Sequence, residues 1–151
     1  MEREIYLILD NIRSRENVGS IFRTADGAGV KKIFLCGITP TPPHSKISKS
    51  SLGAETFVPW EYYKDTWRLL KDLKTCNMQL VALEQTKNSK NIFGFKPKFP
   101  MALVLGNEVR GISHKILKYC DKKISIPMYG KKESLNVSVA AGVALYQLNR
   151  F

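Results

Sequence analysis

Cysteine and histidine are scarce in this sequence of 151 residues, which has three of the former and two of the latter. The cysteines Cys36, Cys76 and Cys120 are odd in number and far apart, with no CxxC pair. This usage is typical of a reducing compartment, so we expect a cytoplasmic protein without disulfides, structural zinc or another metal. We expect each cysteine in or near the core, and His44 and His114 on the surface or in loops.

Long apolar runs are missing as well. The longest stretch of apolar or small residues, Val137–Tyr146, contains Ser138 and Gly142. It is much shorter than the ~20 residues that a membrane span needs. The chain opens Met-Glu-Arg-Glu, without the basic start and apolar core of a secretory signal. The sequence therefore predicts a protein with no membrane partner.

Acidic residues are few relative to basic ones. The chain has 13 Asp and Glu against 24 Lys and Arg, which gives a formal net charge of +11. Two segments have no acid at all, one between Asp26 and Glu55 and the other between Glu84 and Glu108. Such an excess favours a polyanionic partner, of which nucleic acid is the commonest, although composition alone does not separate RNA, DNA and anionic lipid.

Several common catalytic and nucleotide-binding motifs are absent. Gly106 and Gly111 have the spacing of a phosphate-binding loop, but Ile112-Ser113 follows where that loop needs a lysine. Gly27-Ala28-Gly29 ends a predicted helix and lacks the third glycine of a dinucleotide fingerprint. There is no HExxH, no GxSxG and no carboxylate cluster suited to two metal ions. The sequence thus argues against an ATPase, a dehydrogenase and the hydrolases that these motifs mark.

What is present is an alternation of strand-like and helix-like segments in a chain of single-domain length. Short apolar runs predict strands at Ile5–Leu9, Ile33–Cys36, Phe57-Val58, Leu80–Leu83, Met101–Leu105 and Ile124–Ile126. Periodicity and capping residues predict helices from Asn17 to about Ala28, over Glu61–Cys76, from Ser113 to Tyr119, and from Ser134 or Asn136 to about Asn149. Ile38–Ser51 and Asn88–Pro100 are predicted loops. This order predicts an α/β domain with a mostly parallel sheet and flanking helices.

Three polar segments lie where predicted strands end, which is where parallel sheets bind ligands. They contain Asn17…Gly19…Arg23…Ala25, then Leu105-Gly106-Asn107-Glu108…Gly111, then Ile126-Pro127-Met128…Ser134-Leu135-Asn136-Val137-Ser138. A further segment, Lys46–Glu55, follows the second strand. Together and in this order they resemble the SpoU family of RNA 2′-O-ribose methyltransferases, also called TrmH-like, within the SPOUT superfamily. The resemblance covers nearly the whole chain.

The resemblance implies a fold whose C-terminal part forms a deep trefoil knot, and a knot that builds the pocket for S-adenosylmethionine. By match to the family, the pocket residues are Leu83, Leu105, Gly106, Asn107, Ile126, Met128, Ser134 and Leu135. The predicted first strand begins almost at the N-terminus. We therefore expect residues 1–151 to be one methyltransferase domain, without the N-terminal RNA-binding domain that larger members carry.

The reaction that the resemblance implies is methylation of a ribose 2′-hydroxyl in tRNA or rRNA. The catalytic residues carried over by match are Arg23, Asn17, Glu108, Ser134 and Asn136. Because a guanidinium keeps its proton, we expect an RNA phosphate to take the hydroxyl proton while Arg23 orients that phosphate and stabilises the developing alkoxide. Asn17 is expected to position Arg23 or the RNA. Glu108 is expected to hold its loop or contact one of those residues, and Ser134 and Asn136 to face the ribose and phosphate.

Basic residues near the motifs are candidates for RNA contacts, namely Arg13, Arg15, Lys46, Lys49, Arg110, Lys131 and Lys132. Arg110 is equally compatible with an ordinary surface position. Members of the family dimerise through the knot region, and in many of them the cofactor of one subunit faces the arginine of the other. The final predicted helix is rich in small residues, which suits a close interface, so we predict a homodimer with shared active sites.

Two other functions stay open from the sequence. A related knotted fold methylates RNA bases, although Arg23 and the Asn-Glu-x-x-Gly pattern from Asn107 to Gly111 argue for ribose. The non-enzymatic alternative is an RNA-binding module that kept the fold and lost catalysis. All three motifs are intact, so nothing in them favours this alternative.

Overall fold

Seven parallel strands form one sheet in the computed structural model, which describes residues 3–151. The strands are β1 (Ile5–Asp10), β2 (Lys32–Cys36), β3 (Trp60–Tyr63), β4 (Gln79–Leu83), β5 (Lys90–Asn91), β6 (Met101–Leu105) and β7 (Lys122–Ser125). Their order across the sheet is β3-β2-β1-β6-β4-β7-β5, and all neighbouring pairs are parallel. The predicted α/β class with a parallel sheet is confirmed.

Helices cover both faces of this sheet. They are α1 (Arg15–Gly27), α2 (Ser45–Ser51), α3 (Thr66–Thr75), α4 (His114–Leu117) and α5 (Val137–Leu148), with 3₁₀ turns at Ala54–Thr56 and Ile92–Gly94. Ser113 begins α4 as predicted, and Asn136 is the residue that begins α5. Helix α1 begins earlier than predicted, because the Ser14 hydroxyl accepts a hydrogen bond from the Asn17 N–H at 3.1 Å and so caps the helix.

The core has two parts, one on each face of the sheet. Successive side chains of a strand point to opposite faces. Leu7 of β1 accordingly packs in the cluster that contains Phe22 of α1, and Ile8 in the cluster that contains Leu70 of α3. All four residues are fully buried, which is expected of a parallel sheet covered on both sides.

The strand register brings the carboxyl ends of the central strands to one level. Leu9 of β1 lies opposite Leu105 of β6, and Leu83 of β4 lies opposite Ile124 of β7. The loops that follow these four strands therefore leave the sheet along the same edge. Those loops carry the three polar motif segments.

The predicted helix over Glu61–Cys76 is wrong in its first part. Trp60–Tyr63 is strand β3, paired with β2 at the edge of the sheet, and α3 begins only at Thr66. Tryptophan and tyrosine favour strands, and Asp65 provides the non-helical residue from which a helix starts. The aromatic residues of β3 happen to continue the apolar spacing of α3, which is why the two elements look like one helix in the sequence.

Two predicted loops contain regular structure. Ile38–Ser51 ends in helix α2, which begins where His44 Nδ1 accepts a hydrogen bond from the Lys46 N–H at 3.1 Å. Asn88–Pro100 contains β5 and a 3₁₀ turn. The predicted strand Phe57-Val58 is wrong, because these residues follow a 3₁₀ turn that buries Val58 and exposes Phe57.

The cysteines differ in their surroundings. Cys36 is buried and Cys120 is half-buried, as expected, but Cys76 is exposed at the end of α3, so the prediction of a near-core position is wrong for it. Burial raises the pKa of both the Cys36 and the Cys120 thiol to about 12, which keeps them protonated at neutral pH. His114 is exposed and His44 lies in the loop before α2, as expected.

Two observations on the described residues concern metal ions and membranes. Within residues 3–151, no group of three or more His, Cys, Asp or Glu side chains is placed to hold a metal ion. None of the described helices has the length and apolar character to cross a membrane.

Candidate active site

A cavity of ≈ 440 Å³ opens at the carboxyl edge of the sheet, where the loops after β4, β6 and β7 meet the start of α5. All eight residues expected at a cofactor pocket line it, namely Leu83, Leu105, Gly106, Asn107, Ile126, Met128, Ser134 and Leu135. Asn17 of α1 and Val137 and Ala140 of α5 complete part of the wall. The parallel register is what brings these sequence-distant residues together.

The loop after β6 makes a tight turn at the cavity wall. A Cβ atom on Gly106 would lie 2.6 Å from backbone atoms of Gly111 and Ile112, so the position accepts only glycine. Gly111 has a φ of 68°, and its N–H donates to the Asn107 carbonyl at 2.9 Å. Glu84, directly after β4, accepts a hydrogen bond from the Ile112 N–H at 2.6 Å. This carboxylate fixes the loop after β6 to the end of β4.

Glu108 joins the loop after β6 to the start of α1. Its two carboxylate oxygens accept hydrogen bonds from the N–H groups of Arg13 and Ser14, both at 2.8 Å, and from Asn17 Nδ2 at 3.0 Å. Burial alone would raise the pKa of this carboxyl, but the hydrogen bonds from Arg13, Asn17 and Ser14 outweigh it and hold the pKa below its ordinary value. Glu108 is therefore a fixed anion with its acceptor capacity largely used within the protein.

Asn17, which donates to Glu108, is also hydrogen-bonded to the third motif segment. Its Oδ1 accepts a hydrogen bond from Asn136 Nδ2 at 3.2 Å. Asn136 Oδ1 in turn accepts from the N–H groups of Ser138 at 2.9 Å and Val139 at 3.3 Å, which caps α5. One hydrogen-bonded chain, Glu108–Asn17–Asn136, thus ties the three motif segments together at the cavity.

Arg23 lies apart from this chain of hydrogen bonds. It is exposed on α1, six residues beyond Asn17, and does not line the described cavity. The other four predicted catalytic residues do line it, namely Asn17, Glu108, Ser134 and Asn136. Ser134 and Asn136 are both exposed, so they belong to the mouth of the cavity.

A second groove, of ≈ 1060 Å³, adjoins the cavity across Asn17, Asn107 and Glu108. Four of the predicted RNA-contacting residues line it, namely Arg13, Arg15, Lys46 and Arg110. The other three do not line the groove but are exposed, with Lys49 on α2 and Lys131 and Lys132 in the loop between β7 and α5. Asp10, Glu16 and Glu108 line the same groove, but Asp10 is buried and Glu108 is hydrogen-bonded within the protein. The exposed side chains of the groove are therefore mainly basic, which suits a strand of nucleic acid.

The family model described as the SpoU rRNA Methylase family matches residues 4–146. The chain belongs to the SpoU family. Its sequence is 35% identical over 150 residues to the tRNA (guanosine(18)-2′-O)-methyltransferase of Aquifex aeolicus, covering 99% of this chain and 70% of that protein. It is 32% identical to the 23S rRNA (guanosine-2′-O-)-methyltransferase RlmB of Neisseria meningitidis serogroup B, covering 99% of this chain and 59% of that one.

Solved structures support the same relationship. The AdoMet-bound rRNA methyltransferase from Sinorhizobium meliloti superposes with a TM-score of 0.93 at 28% sequence identity. The match covers 99% of this chain and 57% of the Sinorhizobium chain. The chain therefore spans little more than half the length of several relatives that it matches.

Sequence reasoning did not single out two residues of this SpoU domain, Ser14 and Glu84, which lie outside the family motifs but fix the loops of the site. Ser14 caps α1 and donates its N–H to Glu108, and Glu84 anchors the loop after β6. Each had a detectable signal. Ser14 stands three residues before Asn17, which is a capping spacing, and Glu84 directly follows a predicted strand.

Proposed function

We propose that this SpoU-family chain transfers a methyl group from S-adenosylmethionine to a ribose 2′-hydroxyl in tRNA or rRNA. The observation that carries the proposal is the hydrogen-bonded chain Glu108–Asn17–Asn136, which joins three motif segments at one cavity. The names of the Aquifex and Neisseria relatives agree, since they describe 2′-O-methyltransferases of tRNA and of 23S rRNA. The activity is proposed for the domain that this chain shares with them.

The residues around the cavity fit S-adenosylmethionine. Leu83, Ile126 and Leu135 offer apolar walls for an adenine ring, and the turn at Gly106 exposes backbone groups without a side chain in the way. The volume of ≈ 440 Å³ falls within the usual range of small-molecule sites, about 300–1,000 Å³. The cofactor supplies an activated sulfonium methyl, so the protein has only to align the acceptor hydroxyl and manage its proton.

The proton of the ribose hydroxyl passes, in this proposal, to a phosphate of the RNA. Arg23 keeps its own proton, and its exposed guanidinium is suited to a bidentate contact with that phosphate. The same charge stabilises the alkoxide as it develops. Asn17 and Glu108 hold the two loops in place, while Ser134 and Asn136 at the mouth of the cavity contact the ribose and phosphate.

The RNA strand reaches the cavity through the adjoining basic groove. Arg13, Arg15, Lys46 and Arg110 line that groove and are placed to contact phosphates, which give affinity and register without sequence choice. Lys49, Lys131 and Lys132 are exposed outside the groove and are proposed to add further phosphate contacts. We place the enzyme in the cytoplasm, where tRNA and rRNA occur and thiols stay reduced.

We infer that the active enzyme is a homodimer. Arg23 does not line the cavity of its own chain, and a second subunit explains how it takes part in the reaction. Helix α5 exposes Val139, Val143 and Tyr146, whose spacing puts them on one side of the helix. An exposed apolar stripe beside the cavity is a surface that a second copy would cover.

The deep trefoil knot belongs to the same proposal. Between β7 and α5, the chain runs from Ile126 past the loops after β4 and β6 to Asn136, which contacts Asn17 of α1. We infer that this segment threads between those loops and so forms the knot that the family resemblance implies.

The test is methyl transfer from labelled S-adenosylmethionine to separate tRNA and rRNA pools that lack modification, followed by mass spectrometry of the nucleosides. A 2′-O-methylated nucleoside from one pool is the expected product. A methylated base would assign the chain to base methylation instead. Binding of S-adenosylmethionine without product in either pool would favour a non-catalytic RNA-binding module.

A further inference from the structure

We propose, on the basis of the RNA methyltransferase function above, that the N-terminal parts of α3 and α4 form a second RNA-binding surface. Trp67 lies at its centre. The Arg68 guanidinium carbon is 4.9 Å from the centroid of the indole ring, and Lys115 Nζ is 5.1 Å from the same centroid. Cations from two helices therefore meet over one aromatic side chain, which we call the Trp67 cluster (Trp67, Arg68 and Lys115).

Positive charge dominates the exposed side of these helices. Exposed cations on and next to α3 and α4 are Lys64, Arg68, Lys71, Lys74, Lys115 and Lys118, and the acids on α3 and its cap are Asp65 and Asp72. Lys74 pairs with Asp121 over 3.7 Å. Arg68 and Lys71 are three residues apart and so share one side of α3, and Lys64 lies just before the start of the helix. Asp65 lies 3.6 Å from Arg68 and partly offsets its charge, but the cations of these segments still outnumber the acids.

The Trp67 cluster is continuous with the groove next to the active site. Ser113 lines the groove and begins α4, so Lys115 follows two residues later. Thr66 begins α3 and donates its hydroxyl to Asp10, another residue of the groove wall, at 2.6 Å. An RNA strand that leaves the groove past Ser113 therefore meets the Trp67 cluster next.

The spacing and the restricted motion of these cationic side chains favour an RNA backbone as the partner. Phosphates of an RNA backbone recur along a strand, as do the cations that run from the groove to the Trp67 cluster. Contact with the indole ring holds Arg68 and Lys115 in place, so less side-chain freedom is lost when they bind. Because these side chains lie outside the cavity, we expect them to hold the body of the RNA and to leave the methyl transfer step unchanged.

The experiment compares two double variants of equal charge. Arg68→Gln/Lys115→Gln removes two cations of the Trp67 cluster. The control, Lys96→Gln/Lys98→Gln, removes two exposed cations at the opposite edge of the sheet, where the Lys98 N–H bonds to Gln79 at the start of β4. RNA binding is measured with unmodified tRNA and rRNA pools over a range of salt concentrations, together with kcat at saturating RNA and the affinity for S-adenosylmethionine.

We expect the Trp67-cluster variant to flatten the plot of log affinity against log salt by about 1.5, because each lost phosphate contact removes roughly 0.7–0.9 from the slope. The affinity for RNA at physiological salt should fall about tenfold, with kcat and cofactor affinity unchanged. The control should keep the slope of the unmodified protein. Equal slopes in both variants, or a loss confined to kcat, would overturn the proposal.

Trp67 itself gives an independent readout. In Trp60→Phe protein, Trp67 is the remaining tryptophan, and RNA binding should quench its fluorescence. Binding without quenching would contradict a contact at the Trp67 cluster. If the unmodified protein methylates neither RNA pool, the proposed function fails, but the salt slopes and the quenching still decide whether this surface binds RNA.

Discussion

At the scale of single residues, Glu108 has the most to do with holding the site together. Glutamine in its place keeps one acceptor oxygen but turns an N–H group toward the backbone N–H of Arg13 or Ser14. The N–H groups of Arg13 and Ser14 are exposed or only partly buried, so we expect Glu108→Gln to lower the free energy of unfolding by about 1 kcal/mol, the usual net contribution of a hydrogen bond. Urea unfolding at neutral pH measures this. Glu133→Gln, at an exposed residue of the loop before α5, is the control and should be neutral.

The same variant makes a prediction about pH. Hydrogen bonds hold the pKa of Glu108 below the ordinary value of 4.5 in the folded chain. Such a carboxylate stabilises the fold above its unfolded pKa, and the contribution is lost as pH falls through the lower, folded value. The stability difference between the unmodified protein and Glu108→Gln should therefore narrow as pH is brought from neutral to well below 4.5. A stability difference between the two proteins that stays constant over this pH range would contradict a lowered pKa of Glu108 in the folded chain.

Arg23 tests the proposed route of the proton. Lysine preserves the positive charge but loses the planar fork that contacts a phosphate through two hydrogen bonds. We expect Arg23→Lys to lower turnover by about ten- to a hundredfold, the cost of one charge-assisted hydrogen bond in the transition state. Isothermal titration should find the affinity for S-adenosylmethionine unchanged. Near-full turnover would remove Arg23 from its catalytic role.

The residues of the cavity wall could be predicted because they stand at strand ends, where apolar runs stop and the family motifs begin. Glu84 and Ser14 act differently, since each is bonded to another loop. Glu84 accepts a hydrogen bond from the Ile112 N–H, and Ser14 donates its own N–H to the Glu108 carboxylate. Those partners become neighbours only through the order of strands in the sheet. No spacing within the sequence contains that order, so the sequence could mark Ser14 as a helix cap and Glu84 as a strand-end residue but could not predict their partners.

At the scale of elements, the central strands were predicted correctly from the sequence, whereas β3 at the edge of the sheet and the peripheral helix α2 were not. Met101–Leu105 is predicted and observed with the same bounds, because a fully buried strand is a continuous apolar run. Strand β3 pairs on one side only, with β2, and its four residues are partly buried or exposed. It therefore contains no continuous apolar run that would mark it as a strand. Helix α2 is short and built from serine and lysine, and it is stabilised by packing on α1 rather than by its own composition.

That packing explains Gly19 of the first motif. A Cβ atom there would collide with the Ser50 hydroxyl and the Ile47 carbonyl of α2. We expect Gly19→Ala to destabilise the chain by about 1–3 kcal/mol through overpacking. Gly142 of α5 is the matched position, since its Cβ would meet only Thr24 at 3.5 Å, an ordinary contact.

Gly142→Ala should therefore stabilise the chain by roughly 0.5–1 kcal/mol, the difference between alanine and glycine inside a helix. Thermal and urea unfolding of the two variants should move in opposite directions. Loss of stability in both would mean that α5 also lacks room for a methyl group.

At the scale of the whole molecule, net charge pointed to a polyanion but gave no position for it. The cations of the sequence become a groove only when β1, β6 and α2 bring Arg13, Arg110 and Lys46 to one edge of the sheet. The excess of charge is also spread beyond that groove, over α3 and α4. Composition therefore predicts the class of partner, while the fold determines which cations act together.

The proposed homodimer makes a prediction that distinguishes shared active sites from separate ones. Arg23→Ala should inactivate the site to which Arg23 contributes, and Gly106→Ala should close the cavity by forcing Cβ against the backbone of Gly111 and Ile112. Each variant alone should be inactive. A heterodimer of the two, purified through a different tag on each chain, should recover about half of the normal turnover if Arg23 acts on the partner's cavity.

The half-activity follows from counting complete sites. In the heterodimer, one cavity keeps Gly106 and receives Arg23 from the other chain, whereas the second cavity has neither. If Arg23 served the cavity of its own chain, both sites would lack one component and the heterodimer would be as inactive as its parents. Sedimentation of Val143→Glu protein supplies the control, because a charge on the exposed stripe of α5 should separate the subunits and abolish turnover while the fold remains intact.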